Sequence, residues 1–537
     1  MNARAQPTGA ERSVLQPQVF SRKATGLVRE ASLKDVFAFN VNMQNVYIGV
    51  VFSLLLIPPL YPNANIYLAT LLAWIIALPV SYVYAKLGAT FPRSGGDYVF
   101  VSRIVHPALA FTSNLSYCIW GAFYIGVSGV FLGVYGLAPL FRVLGAYLGS
   151  KGLAAAGNWF AGPTGEFVMA AGLIVLFVAI FAVGGMRLYF KIQAINFTFA
   201  SVMLGLVVAW GFIASRSGAL AALDQQITAL GGKALSSLAE PGAGGFSWKE
   251  TTFAAIWPWL AFNSAIYSTY MGGEVKRADR NQVLGIMGAL AWAAAWMLLA
   301  TWAMYDLFGG GFWANVGAAD AAQFGLSTTP TFGEISGYAL GNVLIATLVM
   351  IGLVLWTYVW IAPYTVLLTR SMLAWSLDRL GPPQLAEVHP RWHSPVKGLL
   401  TILVLGVITS ALYAYGNLSV LTGTVGITAS MIVVAVAGIL LPYRNRQLWS
   451  SSPAAGRVAG LPTISLAGLI SLPLLGLIEW ALLADANSGT SLVASPQVVV
   501  YVTIIFLVGL PIYFGIMAFQ KRRGIDVDLA YKEIPPE

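Results

Sequence analysis

The chain reads as an all-α integral membrane protein with 12 transmembrane helices. They form a 5+5 inverted repeat with broken helices 1 and 6, followed by two extra C-terminal helices. Three observations predict this fold. Of the 537 residues, 58% are hydrophobic and only 9% charged, against roughly 25% charged in soluble domains. Ten charge-free runs (36–85, 107–141, 167–186, 192–215, 251–273, 281–305, 335–369, 398–443, 458–478 and 486–520) each meet the length of about 20 residues that a membrane helix needs. Polar or helix-breaking residues interrupt the first and sixth spans, five spans apart, as FNVNMQNVYIGVVF and IWPWLAFNSAIY. Uncompensated polar groups are costly in hydrocarbon, and paired interruptions in two halves of a chain point to a carrier's binding site.

The elements follow in order. Residues 1–34 form a polar N-terminal tail without a signal-peptide apolar core, expected to remain as a cytoplasmic extension. The run 36–85 holds two spans, divided by Pro58-Pro59 and Pro62-Asn63, and the run 398–443 holds two, divided by Tyr415-Gly416-Asn417. The first five-helix repeat covers 35–214, and an extracellular loop covers 215–250. The second repeat covers 251–441, helices 11 and 12 lie in 442–520, and a cytoplasmic tail covers 521–537. Five spans are an odd number, so the second copy must enter the membrane from the opposite side. Helices 3 and 8, also five apart, each come from a run of 35 uncharged residues, a length shared only by the run of helix 12 among the single-span runs. The outer loops 216–250 and 306–334 are long and Gly-rich, and read equally as lids or as passive connections.

Lys and Arg set the orientation. With the N-terminus inside, the inner segments hold 25 of the 30 basic residues, and the outer ones hold only Arg142, Lys151, Arg216, Lys233 and Lys249. Both termini are therefore expected in the cytoplasm, in a multi-pass protein of the plasma membrane. The net charge of +9 then reflects orientation and contact with anionic membrane lipids. No basic cluster is interleaved with aromatics, so it is no nucleic-acid signature. Cys118 is the single cysteine, which excludes an intrachain disulfide or a zinc cluster.

Depth selects the candidates on helix 1. At 1.5 Å per residue from Val36, Asn40 is about 6 Å in and interfacial, Asn45 about 14 Å and Gly49 about 20 Å. Asn45, Tyr47 and Gly49 thus bracket the middle of a core about 30 Å thick and are the expected unwound segment. The alternative is an amide that bridges neighbouring helices. On helix 6, Pro258 frees a carbonyl one turn earlier, with Trp257, Trp259, Phe262, Asn263 and Ser264 around the gap. An aromatic pocket with a few placed polar groups suits a small amphipathic ligand. The alternative there is a simple proline kink with lipid-facing tryptophans.

Three loop motifs carry a family resemblance. Between helices 2 and 3 stand Tyr84-Ala85-Lys86-Leu87-Gly88 and Phe91-Pro92-Arg93-Ser94-Gly95-Gly96-Asp97-Tyr98. After helix 6 comes Gly273-Glu274-Val275-Lys276-Arg277-Ala278-Asp279-Arg280. After helix 8 come Arg370-Ser371-Met372, Asp378-Arg379-Leu380-Gly381-Pro382-Pro383 and Ser394-Pro395-Val396. In this order the motifs resemble the "P-x-SGG-x-Y", "EVK-N-P-x-R" and "R…A…D-G-x-L-P…TP" stretches of the amino acid–polyamine–organocation superfamily of permeases. Arg277-Ala278 replaces the usual Asn-Pro. The resemblance implies that broken helices 1 and 6 hold an amino acid's carboxylate and amine through free backbone groups and half-helix dipoles. It places Asn45 and Gly49 on helix 1, Trp120, Gly121 and Tyr124 on helix 3, Trp259, Phe262 and Asn263 on helix 6, and Tyr364 on helix 8 around the substrate.

Two departures narrow the reading. Relatives that carry cationic substrates often place a carboxylate in helix 6, and this chain has none between Thr251 and Gly273. Some proton-coupled relatives carry a lysine on helix 5, where the match puts Ala200 beside Ser201. Sodium-coupled relatives use hydroxyls on helix 8, where Thr365 and Thr369 form a possible cation site. The coupling ion, H+ or Na+, stays open, and no other cofactor is implied. His389-x3-His393 has metal-like spacing but lacks Cys and has few acids nearby. His106, His389 and His393 all fall in cytoplasmic segments, so no catalytic set converges, and Ser94-Gly95-Gly96 lacks the phosphate-loop frame. The expected function is secondary active transport of neutral amino acids by alternating access, not enzymatic. The rivals are a carrier of other small amines or organic ions, a non-transporting sensor of the same fold, and a membrane-embedded enzyme. The last would need ionisable residues clustered at one depth.

Overall fold

A computed structural model describes residues 27–532 except 239–244, 390–391, 393 and 417. Most of the N-terminal tail, Asn417 of the predicted helix 9–10 break, and His393 therefore lie outside the described residues. Within them the architecture is helical, apart from a two-residue hairpin pairing 457–458 with 461–462. Ten helices are long and apolar enough to cross a membrane.

The first is interrupted. Helix α1 (Leu33–Gln44) begins where the Asp35 carboxylate accepts from Ser32 N and Oγ, and α2 (Val46–Leu60) continues it after one residue. Pro58 and Pro59 fall in the last turn of α2, and Asn65 caps α3 (Ile66–Thr90) by accepting from Tyr67 N and Leu68 N. A short α4 (Asp97–Ile104) leads to α5 (Pro107–Phe131), which runs through a π-helical turn (Leu132–Leu137) into α6 (Ala138–Tyr147).

After α7 (Lys151–Phe160), helix α8 spans Pro163–Ile213, 51 residues. A continuous helix of that length would measure about 77 Å, more than twice a bilayer core of about 30 Å. Gly185, at φ 56° and ψ −161°, breaks it in a conformation that side chains with a Cβ avoid. The break falls before the Arg187–Lys191 turn that charge counting suggests.

The long connection after α8 contains α9 (Arg216–Ala229), then α10 (Trp248–Ala254) and α11 (Ile256–Phe262). Helix α12 (Ala278–Phe308) precedes α13 (Gly310–Ala318) and α14 (Phe332–Ala339), so both outer loops carry helices of their own. The eighth span was expected over 335–369. Instead α15 (Val343–Thr357) and α16 (Ile361–Leu377) form it, because Asn342 caps the helix start by accepting from Leu344 N and Ile345 N.

The last helices are α17 (Val396–Tyr415), α18 (Thr422–Arg444), α19 (Arg446–Ser450), α20 (Thr463–Ala484), α21 (Pro496–Leu507) and α22 (Gly509–Arg522). The expected eleventh run, 458–478, stopped short of Glu479, which the helix includes. The expected twelfth began at 486, but the helix begins at Pro496, a residue suited to a first helical position.

The core gathers around α1 and α2. Their most apolar window is 83% buried, against 17% for Pro496–Arg522, which places α21 and α22 on the periphery. One end of the bundle carries both described chain ends, α4 and most of the basic residues, and is called the basic end below. Residues 61–65, 247–251 and 327–338 lie at the far end.

Candidate functional site

The helix 1 break consists of one residue. Asn45 sits at φ 48° and ψ 68°, a left-handed conformation that asparagine tolerates better than most side chains. Its N–H donates to Val41 O (3.0 Å), closing α1, and its Oδ1 accepts from Ile48 N (3.3 Å), opening α2. Tyr47 and Gly49 were expected in the unwound segment, but both are helical. Once Asn45 has turned the chain and capped the next helix, no further unwinding is needed.

Gly49 is instead a packing position. A Cβ there would stand 2.7 Å from Met297 Cε and 3.2 Å from Ala261 Cβ. Substituting leucine would wedge α2 away from α11 and α12 rather than fill a gap. The Tyr47 hydroxyl points to the far end, where it donates to Tyr135 O (3.2 Å), and its ring packs on Phe332.

The helix 6 break is wider, and it lies elsewhere than expected. Pro258 bends the chain only at Ala255, between α10 and α11. The helix unwinds after Phe262. Residues 263–266 are turns, and 3₁₀ turns at Tyr267–Tyr270 and Gly272–Glu274 carry the chain to the basic end.

Two contacts fix the levels of the breaks. Asn40 meets Ser268, and Gly49 meets Ala261. The two segments run in opposite directions, so Asn45 lies level with residues 263–266. At that level the helix ends expose backbone groups that are only partly satisfied: Ile48 N is capped by Asn45 Oδ1, and Trp259 O and Ala261 O accept from Asn263 N and Ser264 N. Asn263 Oδ1 accepts from Ser264 Oγ (2.6 Å). The backbone there is polar at the centre of an apolar bundle.

An aromatic array flanks the breaks. Tyr124 stacks on Tyr364 (5.4 Å, 13°), and Tyr364 meets Tyr267 edge-on (5.2 Å). Tyr267 in turn meets Tyr117 (5.9 Å), and Tyr124 meets Trp360 (5.8 Å). Gly121 lets α5 approach this array, since a Cβ there would meet Leu368 at 2.8 Å and Tyr364 at 3.2 Å. Two indoles reach α18: Trp259 Nε1 donates to Thr428 Oγ1 (3.0 Å), and Trp120 lies against Gly426. The Tyr124 hydroxyl donates to Val420 O (2.7 Å). Phe262 is fully buried at the last turn of α11. Buried groups without a hydrogen bond include Asn45 Nδ2, Trp120 Nε1, Tyr117 Oη and Tyr267 Oη, donors and acceptors available to a ligand.

Sequence reasoning missed the closures at either end. Asn40, expected at the interface, is fully buried and brackets Ser268 through both its amide atoms (2.9 Å each). Ser268 Oγ donates to Gln282 Oε1 (2.7 Å). Arg370 Nε donates to Glu274 Oε1 (2.7 Å), with both side chains about 95% buried. At the far end, Arg142 pairs with Glu334 (2.7 Å) in full burial. The signal available in the sequence was a charge next to a membrane segment, but the partners lie too far apart in sequence to be paired by eye.

Thr365 and Thr369 do not face α1. They line a cavity of about 10 Å³ with Phe181, Gly185, Ser394 and Arg370, and Thr369 Oγ1 donates to Thr365 O in its own helix (2.7 Å). The neighbouring guanidinium disfavours a sodium ion there. Ala200 is buried, and the Ser201 hydroxyl beside it has no hydrogen bond. Among the described residues, no group of three His, Cys, Asp or Glu side chains could hold a metal ion.

Comparison with known proteins agrees with this architecture. A 100-residue stretch is 28% identical to "Uncharacterized protein 399" of Sulfolobus islandicus rod-shaped virus 1. It covers 19% of this chain and 23% of that protein, so the chain spans under a quarter of the relative's length. The model of the family described as "Amino acid permease" matches residues 32–518, nearly the whole chain. That match shows that the chain belongs to the amino acid permeases of the amino acid–polyamine–organocation superfamily, a family of membrane transporters rather than enzymes.

Proposed function

We propose that the protein carries neutral amino acids across the plasma membrane by alternating access, with 12 spans in a 5+5 inverted repeat. The count divides α8 at Gly185 into two spans and adds the broken Trp248–Glu274 segment to the ten long helices. The excess of Lys and Arg turns the basic end to the cytoplasm.

The observation that supports the site most is the level match of the breaks at Asn45 and residues 263–266. The N-terminus of α2 attracts the substrate carboxylate, and the C-terminal carbonyls of α11 attract its ammonium. Tyr124, Tyr364, Trp120, Gly121, Trp259, Phe262 and Asn263 flank the space left for the side chain. Tyr47 and Gly49 support it through packing at the far end and against α12. A zwitterion needs no further counter-charge, and the chain offers none between Thr251 and Gly273.

Counterflow in proteoliposomes preloaded in turn with each standard amino acid tests this. Uptake stimulated by one set of neutral amino acids is the expected result. Stimulation by arginine or lysine alone would overturn the neutral assignment, and silence across the panel would favour non-amino-acid amines.

A further inference from the structure

Asp97 is a buried carboxylate that the site above does not use. It opens α4 in the loop between α3 and α5 and is fully buried. Three neutral donors converge on a single oxygen. Oδ1 accepts from Asn114 Nδ2 (2.6 Å), Tyr270 Oη (2.9 Å) and Tyr98 N (2.9 Å), while Oδ2 is buried without a hydrogen bond.

Among the described residues no cation bonds it. The titratable groups facing it are Tyr84 from α3, Tyr117 and Cys118 from α5, and Tyr270 from the unwound part of helix 6. The charged groups on the surrounding elements are engaged elsewhere. Arg103 of α4 pairs with Asp378 and lies over Tyr531 of the C-terminal segment. Arg370 of α16 pairs with Glu274, and Arg444 of α18 donates to the Ile104 and Val105 carbonyls. A buried charge held by neutral donors, with one oxygen bare, is strongly disfavoured in its ionised form. Burial accordingly pushes the Asp97 carboxyl up to about 6, against the pull of Tyr270 and Asn114.

The donor Tyr270 belongs to the segment most closely clamped by this loop. Gly95 N donates to Tyr270 O (3.1 Å), and Ser94 bridges to Met271. Gly96, at φ 51°, lies so close to the Tyr270 ring that a Cβ would stand 2.6 Å from it. The clamp and the carboxylate therefore hold the unwound end of helix 6 shut over the site.

We infer that Asp97 is a proton-binding site that controls opening of the basic end: a proton taken up from the cytoplasm onto Oδ2 weakens the bond from Tyr270 and releases the unwound half of helix 6. The inference rests on the transport reading above. Its sign follows from linkage. Ionised Asp97 binds Tyr270 through a charge-assisted hydrogen bond, so the closed state is favoured above the carboxyl's titration point and loosened below it. Opening removes a donor, which raises proton affinity further.

Counterflow of a neutral amino acid, measured at equal pH on both sides from about pH 5 to about pH 8, tests the proposal. The wild type should quicken through a step near 6 as pH falls. Asp97→Asn should transport at the fast level throughout, within about twofold. Tyr270→Phe keeps the ring and removes one donor, so its midpoint should move up by about half a unit or more. It also carries the test should Asp97→Asn fail to fold. An unshifted step in both variants would overturn the proposal. Infrared difference spectra between the two pH extremes read the same site without transport. They should show a protonated-carboxyl band in the wild type that loses a component in Asp97→Asn, and an undiminished band would also overturn the proposal. No counterflow in the wild type at any pH, with that band intact, would instead defeat the transport reading alone.

Discussion

Helices 1 and 6 are both broken at the same level, yet they break in different ways. Helix 1 turns on a single residue and resumes at once, because Asn45 ends α1 with its N–H and starts α2 with its side chain. Helix 6 never resumes as an α-helix. Below Phe262 it passes through turns and two short 3₁₀ pieces, whose backbone is held from outside by Asn40, Gln282 and Gly95 and whose Tyr270 and Glu274 side chains are held by Asp97 and Arg370. One break is intrinsic to its own sequence, and the other depends on tertiary contacts. That difference suits a carrier in which helix 1 supplies a fixed anion site and the inner half of helix 6 moves.

The largest effect should come from the tertiary side. Glu274 closes the unwound half of helix 6 by pairing with Arg370 in burial. Removing one partner of a buried pair leaves the other uncompensated, at about 3–5 kcal/mol. Glu274→Leu should therefore melt well below the wild type in a thermal-unfolding assay. The double variant Glu274→Leu/Arg370→Met should recover much of that loss, since apolar replacement of a whole pair is often neutral. No recovery would mean that the pair is not what anchors this half.

A smaller, local effect should appear at helix 1. Asn45→Val places a β-branched residue in a left-handed conformation and removes a cap. The two changes cost about 1–2 kcal/mol and about 1 kcal/mol, enough to reduce substrate binding by roughly 30- to 150-fold if the break is needed only for binding. Asn45→Gly keeps the backbone conformation and forfeits only a few tenths of a kcal/mol of capping, so its affinity should stay within about threefold. Equal losses in the two variants, read by substrate protection against thermal unfolding, would show that the amide itself contacts the ligand and that the break is secondary.

The same contrast explains what could be read from the sequence. The long helices were legible because charge-free runs measure hydrocarbon crossing directly, and Asn45 stood out as a polar residue at mid-depth. Run-counting misjudged ends where local chemistry decides: the Asn342 cap moved the start of α15, and Glu479 lies inside α20 despite its charge. The helix 6 break was expected around Pro258, with Asn263 and Ser264 beside it, and its extent over 263–266 was not legible because Asn263-Ser264-Ala265-Ile266 contains neither Gly nor Pro. Its 3₁₀ continuation relies on Asn40, 228 residues away, and on Asp97, 173 residues away. Gly49, placed by its depth in the unwound segment, is helical and serves as a close contact with Met297 and Ala261.

Pro258 offers the smallest expected effect and the sharpest check on where helix 6 breaks. A proline inside a helix removes one backbone hydrogen bond and displaces the carbonyl a turn earlier. Here the chain has already bent at Ala255, Trp259 N still donates to Ala255 O (3.0 Å), and α11 continues to Phe262. Pro258→Ala restores an N–H that could bond within a straightened helix, but it leaves residues 263–266 and their tertiary anchors untouched. Counterflow should therefore change by less than about threefold, equivalent to under about 1 kcal/mol, and stability should stay level or rise slightly. A loss of transport comparable to that of Asn45→Val would return the functional break to Pro258, and would make the turn after Phe262 a consequence of the kink rather than an independent feature.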